Sequence, residues 1–431
     1  MAQKRRRLKY IIIVLIFFVY FLIAARPVPR EIILAPGWIS SLGTARAADF
    51  FEESAEETDN LETGLHILSD NGLPHNEEGN FLPFILGSRF GFVDASGQFA
   101  INRIKSNDIY LSQNMWTEYS AEPSNIVINN IYNKAKINID NPGGYPILLD
   151  NRIFILGSDQ NSLSEIGING NITWTYEFGA PLTAIDAADG LVVTGSLDGA
   201  VEVFNSEGSR IFYIEPGGSR YSIIMGCAMS RNGLRIGIVC GIDQQRFLLF
   251  ERSGNDGDYK VIYHEFLESG FRRPVRVLFI DDDQRVIYER GGGIGCYNIK
   301  SRRGINIPLD GEIAAIDESG ENGFLFVITS HGPVLGDYLS DRRQMKLVGI
   351  KFPPDRRIEL SRTEAIDTIF INAPFKSDDV FLGRTHGNFE SQNNFESHGN
   401  LELRNNSELR SNSMLIAGGG SALISFVLEE K

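Results

Sequence analysis

The chain has 431 residues, 41 of them Lys or Arg and 55 Asp or Glu, for a formal net charge of −14, with 44 Gly and 42 % hydrophobic residues. An acidic surface repels phosphate backbones, so nucleic acid is excluded as a general partner, and the composition excludes collagen-like, wholly disordered and multi-span membrane classes. The charge is unevenly placed: residues 1–30 hold Lys4, Arg5, Arg6, Arg7, Lys9, Arg26 and Arg30 and no acid.

The basic stretch Met1 to Lys9 precedes an uninterrupted apolar run from Tyr10 to Ala25 that includes Ile11, Leu15, Phe18 and Leu22. As a helix it spans roughly 24 Å, slightly short of a ~30 Å hydrocarbon core, so it fits a cleavable export signal or an uncleaved anchor. Arg26-Pro27 directly after Ala24-Ala25 is a poor cleavage context, and Ala45-Arg46-Ala47 lies too far on, which favours the anchor. No Cys directly follows the run to carry a lipid. Basic residues stay on the cytoplasmic side, which places the chain beyond Ala25 outside the cytoplasm, in the periplasm of a bacterial envelope. Residues 1–25 are thus read as a signal anchor or signal peptide and a membrane contact.

Residues 26–80 read as an acidic extended linker. They contain Pro27, Pro29, Pro36, Gly37 and Pro74, and Asp49 to Glu62 carries seven acids and no base, with room for a short helix at Ala47 to Leu61.

From Phe81 to Lys431 the apolar period is near two and turn signals recur every eight to twelve residues, the pattern of an all-β protein. Gly87 to Gly97, Gly157 to Asn171 and Gly195 to Ser209 resemble one another, with weaker copies near 241, 292, 331 and 418. Spacings of about 40 to 50 residues with some four strands per unit predict propeller blades, seven by this count with six to eight allowed. In one copy Leu191 to Thr194 runs into Gly195-Ser196, Asp198-Gly199 supplies a tight turn, Ala200 to Phe204 returns, and Asn205 to Gly208 turns the chain into Arg210 to Ile214. Ala180 to Ala188 supplies a fourth, innermost strand. The C-terminal strands, Met414 to Glu429, are expected to close the ring against residues near 81–105. The Asn/Ser/Glu-rich, internally duplicated segment 386–413 reads as a disordered loop between strands of the last blade.

These copies resemble pyrroloquinoline-quinone-like and WD40-like β-propeller repeats. The resemblance rests on Gly157 and Asp159, on Gly170 and the aromatic Trp174, and on Gly195, Asp198, Gly199 and Gly208; it is good over about 145–215 and faint elsewhere. It implies a fold that hosts unrelated functions. One version is similar to the propeller subunit of the outer-membrane β-barrel assembly machinery, from which the missing lipid-bearing Cys departs.

Motif chemistry is sparse. Cys227, Cys240 and Cys296 sit in apolar strand-like contexts, with a Cys227–Cys240 disulfide open. No adjacent Cys pair supports a quinone dehydrogenase. Asp281-Asp282-Asp283 reads as a hairpin turn, and Gly291 to Gly295 precedes a strand and no helix, against a dinucleotide turn. Arg272, Arg273, Arg276, Arg356 and Arg357 form local basic patches. The sequence therefore assigns no catalytic, cofactor-binding or metal residue and predicts a non-enzymatic interaction platform with protein partners. The alternative is a small-ligand or enzymatic propeller using the central funnel near Asp186, Asp198 and Asp243.

Overall fold

The computed structural model describes residues 32–42, 81–132, 136–253, 258–320, 323–331, 343–352, 369–377, 379–386, 413–419 and 422–430. The anchor run with Tyr10, Ile11, Leu15, Phe18, Leu22 and Ala25, the acidic stretch of the spacer and residues 387–412 lie outside them. Among the described residues the regular elements are strands, and no helix is long and apolar enough to cross a membrane.

Strand β1 (Ile32–Ser41) stands apart in the chain. The first sheet is β2 (Leu82–Leu86), β3 (Arg89–Val93) and β4 (Phe99–Ile104); the second is β5 (Asp108–Leu111), β6 (Met115–Tyr119), β7 (Asn125–Asn130) and β8 (Lys136–Asp140). The third is β9 (Gly144–Leu149), β10 (Arg152–Gly157), β11 (Ser162–Ile166) and β12 (Ile172–Glu177); the fourth is β13 (Leu182–Ala188), β14 (Leu191–Ser196), β15 (Val201–Phe204) and β16 (Arg210–Ile214). The fifth is β17 (Ile224–Met229), β18 (Arg235–Cys240), β19 (Arg246–Arg252) and β20 (Tyr259–Phe266); the sixth is β21 (Val277–Ile280), β22 (Arg285–Arg290), β23 (Gly293–Asn298) and β24 (Arg303–Pro308). The seventh is β25 (Glu312–Ile316), β26 (Phe324–His331), β27 (Arg343–Lys351) and β28 (Ile369–Ser377). The eighth is β29 (Val380–His386), β30 (Ser413–Gly419) and β31 (Ala422–Glu430), completed by β1 in the order β1-β31-β30-β29.

Each sheet is an antiparallel meander. First strands of neighbouring sheets touch (β5 with β9, β9 with β13, β13 with β17, β17 with β21, β25 with β29), so they converge on an axis. Strand β29 also touches β2, which joins the last sheet to the first and closes the ring. The burial pattern follows from this geometry. Middle strands such as β14 and β15 are buried along their whole length because both faces pack on adjacent sheets, whereas the outermost β12 is mostly exposed. Apolar clusters accordingly straddle pairs of sheets: Phe154, Leu182, Val192 and Phe204 bind the third to the fourth, and Phe247 stacks on Tyr288 at 3.8 Å between the fifth and sixth.

Three expectations are corrected. Among the described residues the ring has eight sheets where seven blades were expected. The missed one is β5–β8, whose central β6–β7 connection, Ser120 to Ser124, contains Pro and no Gly and so lacks the repeat signal. The C-terminal strand β31 pairs with β1, not with residues near 81–105: Ile32 pairs with Glu430 and Ser41 with Ala422. Part of the 26–80 linker is therefore a strand. Pro36 is tolerated because β1 is outermost in its sheet and shifts register between Pro36 and Ile39. The expected four-strand copy at 180–214 coincides with β13–β16.

Candidate functional site

Polar groups gather where the first strands meet. Asp186, near the end of β13, accepts hydrogen bonds from the backbone N–H of Met229 (2.7 Å) and of Ala187 (2.9 Å). Burial pushes its carboxyl up to about 6, against those two hydrogen bonds, with Glu318 and Asp150 adding repulsion. Glu318, in the turn after β25, has accessible surface yet is closely surrounded by protein, and desolvation pushes its carboxyl up although Arg276 opposes this. Tyr110 of β5 is pushed up to about 12, first by burial, then by Tyr119, Asp186 and Glu318. Groups from the second, fourth and seventh sheets thus lie near enough at the innermost strands to influence one another's protonation. Such a cluster can share a proton or attract a cationic group. Among the described residues no three His, Cys, Asp or Glu are arranged to hold a metal ion.

Beside this cluster lies a buried ion pair between the last two sheets. Arg384 of β29 meets Asp317 at 2.6 Å, their side chains 1 % and 0 % exposed, and Asp317 also accepts from Ser319 N and Oγ. Arg276 donates to the carbonyls of Ile313 and Ala314 and, with Arg273, to buried Glu289. The Arg272 to Arg276 patch is thus partly committed to joining the sixth sheet to the seventh.

The motif residues lie elsewhere. Gly157 ends β10, and Asp159 caps the next turn by accepting from Asn161 N at 3.1 Å. Asp198 accepts from Ser196 Oγ and from Ala200 N in the β14–β15 turn, while Gly195 lies against Ile224 of the next sheet. Gly170, Gly199 and Gly208 all have positive φ; Gly170 abuts Asn138 of β8, Gly199 abuts Ser222 in the connection to β17, and Gly208 the ring of Trp174. Trp174 itself donates to Glu165 and stacks on Phe204. Of the three funnel candidates the structure brings Asp186 to the axis; Asp198 and Asp243 occupy turns between second and third strands, on the opposite face. Tyr110 and Glu318 escaped the sequence reading, the first because its whole sheet was missed, the second because one turn acid among many has no distinguishing pattern.

Cys227 lies opposite Ile238 and Cys240 opposite Ile224, so the two are offset along one ladder and all three thiols are free. Burial pushes Cys296 up to about 12 and raises Cys227 and Cys240 too. Asp281, Asp282 and Asp283 form the β21–β22 turn with φ of 55°, 50° and 60°, a left-handed region that Asp tolerates.

Two further surfaces stand out. On the outer rim, large apolar side chains are exposed on the outermost strands of three successive sheets: Ile172 on β12, Ile211 and Tyr213 on β16, and Val261, Ile262 and Phe266 on β20. Between the fifth and sixth sheets a cleft of about 530 Å³ is lined by Arg235, Glu251, Ile262, Tyr297, Lys300 and Arg302, among others.

An uncharacterized protein of Treponema pallidum (strain Nichols) is 27 % identical over 250 residues, 57 % of this chain; the match spans 65 % of that relative, just under two thirds of its length. Among solved structures, the computationally designed Ika8 protein has a TM-score of 0.47 at 11 % identity, covering 82 % of this chain and 97 % of that one. Kluyveromyces lactis Hsv2p has 0.40 at 14 % identity, covering 54 % and 83 %. A family profile described as beta-propeller protein matches residues 1–391. With that profile spanning most of its length, the chain belongs to this beta-propeller protein family.

Proposed function

We propose that the protein is a non-enzymatic interaction scaffold, tethered to a bacterial membrane by its N-terminal apolar run with the propeller outside the cytoplasm. The observation that carries the reading is the outer rim: exposed Ile211, Tyr213, Val261, Ile262 and Phe266 stand on strands with no partner on their outer edge among the described residues. Apolar surface of this kind beside unpaired strand edges favours contact with other proteins. The turn and aromatic positions of the third and fourth sheets support kinship with pyrroloquinoline-quinone-like and WD40-like repeats, and the export run supports a role in envelope or outer-membrane protein assembly. Crosslinking and mass spectrometry on envelope fractions tests this: specific protein crosslinks are expected, and Ile211→Glu with Phe266→Glu should abolish them while the melting temperature holds. Absence of specific crosslinks from the wild-type protein refutes the reading.

A second reading, a small-ligand propeller, is favoured by the convergence of Tyr110, Asp186 and Glu318 at the axis. Spermidine used as a cationic probe should then raise the melting temperature of the wild type and leave that of Glu318→Gln unmoved.

A further inference from the structure

The cleft between the fifth and sixth sheets is built differently from the rest of the surface. Arg235 is held by Glu251 at 2.7 Å, and Lys300 and Arg302 add positive charge at the β23–β24 turn, on a chain whose net charge is −14. An acidic protein that gathers cations at one concave place attracts anionic groups there and repels them elsewhere. The lining also holds Ile262, Ile299 and Tyr297 of β23, whose ring stacks on Tyr263 of β20 at 4.1 Å.

Arg302 is the last residue of the β23–β24 turn. Its φ is 54°, a left-handed conformation that Gly adopts freely and Arg adopts at a cost. The conformation belongs to the turn, as at Asp281 to Asp283, and holds the exposed cationic side chain at the cleft. The second mark is β20, outermost in its sheet, whose register shift at Leu249/Phe250 leaves Ile262 without a ladder partner between paired Val261 and Tyr263. A strand edge beside a basic cleft suits an extended chain.

We propose that this cleft receives an extended acidic segment of a partner protein, with carboxylates against Lys300 and Arg302 and apolar side chains against Ile262. The proposal rests on the scaffold reading in taking a protein as the occupant.

The test uses the full chain and a fluorescein-labelled ten-residue peptide of alternating Glu and Val, read by fluorescence anisotropy, with a Lys-Val peptide as control. The Glu-Val peptide should bind, weaken at high salt, and lose about tenfold in affinity with Arg302→Gly, more with Lys300→Glu. Because Gly relieves the positive φ, Arg302→Gly should keep or raise the melting temperature, which separates lost binding from lost folding. Equal binding of the Lys-Val peptide, unchanged affinity in both variants, or binding of inorganic phosphate in place of the peptide would each overturn the proposal. Envelope crosslinks at the rim that persist when peptide binding fails leave the scaffold reading standing and remove the cleft from it.

Discussion

Gly208 shows how a single position ties a turn to a neighbouring sheet. With φ at 76° in the β15–β16 turn, an added Cβ would lie 2.5 Å from the Trp174 ring. Gly208→Ala therefore meets backbone strain and an overpacked contact together, and a loss of about 2 kcal/mol in urea unfolding is expected. Asp186 is the other telling residue. Its carboxyl, near 3.8 when unfolded, is pushed up to about 6 by burial, so the folded state holds the proton more tightly. The stability this group contributes is full below pH 4 and falls as pH rises through 6. Asp186→Asn should flatten the profile between pH 4 and 7.5 and lower stability near pH 4, because its NH2 meets one of the two backbone N–H groups that the carboxyl accepts from. A wild-type profile matching that of the variant would refute it.

At the scale of elements, β1 decides whether the ring is fastened. It pairs with β31 across ten residues, and Trp38 reaches on to the first sheet, donating Nε1–H to the Ala95 carbonyl at 2.8 Å and covering Gly97. Deleting residues 32–42 uncovers the β31 edge, and light scattering should show concentration-dependent association that Trp38→Ala alone does not produce. Strands β13–β16 were legible beforehand because each carries its own turn chemistry: Asp198-Gly199 and Asn205 to Gly208 bend the chain whatever surrounds it. Strand β1 was not, since its Pro36-Gly37 reads locally as a spacer and becomes a strand only against β31.

For the whole molecule, the Asp317–Arg384 pair welds the seventh sheet to the eighth in a place shielded from water. Asp317→Ala strands the Arg384 charge and should cost about 3–5 kcal/mol, whereas an exposed pair such as Arg231–Asp282 should cost less than about 1 kcal/mol when broken, both read by thermal unfolding. The turns and apolar alternation of one repeat are local properties, so the sequence by itself determined an all-β propeller and the position of its best blades. The eighth sheet, the partner of the last strand, the axial meeting of Tyr110, Asp186 and Glu318, and the cleft at Lys300 and Arg302 were decided by tertiary structure. Each joins residues far apart in the chain, and no turn or period of either partner encodes where the other will lie.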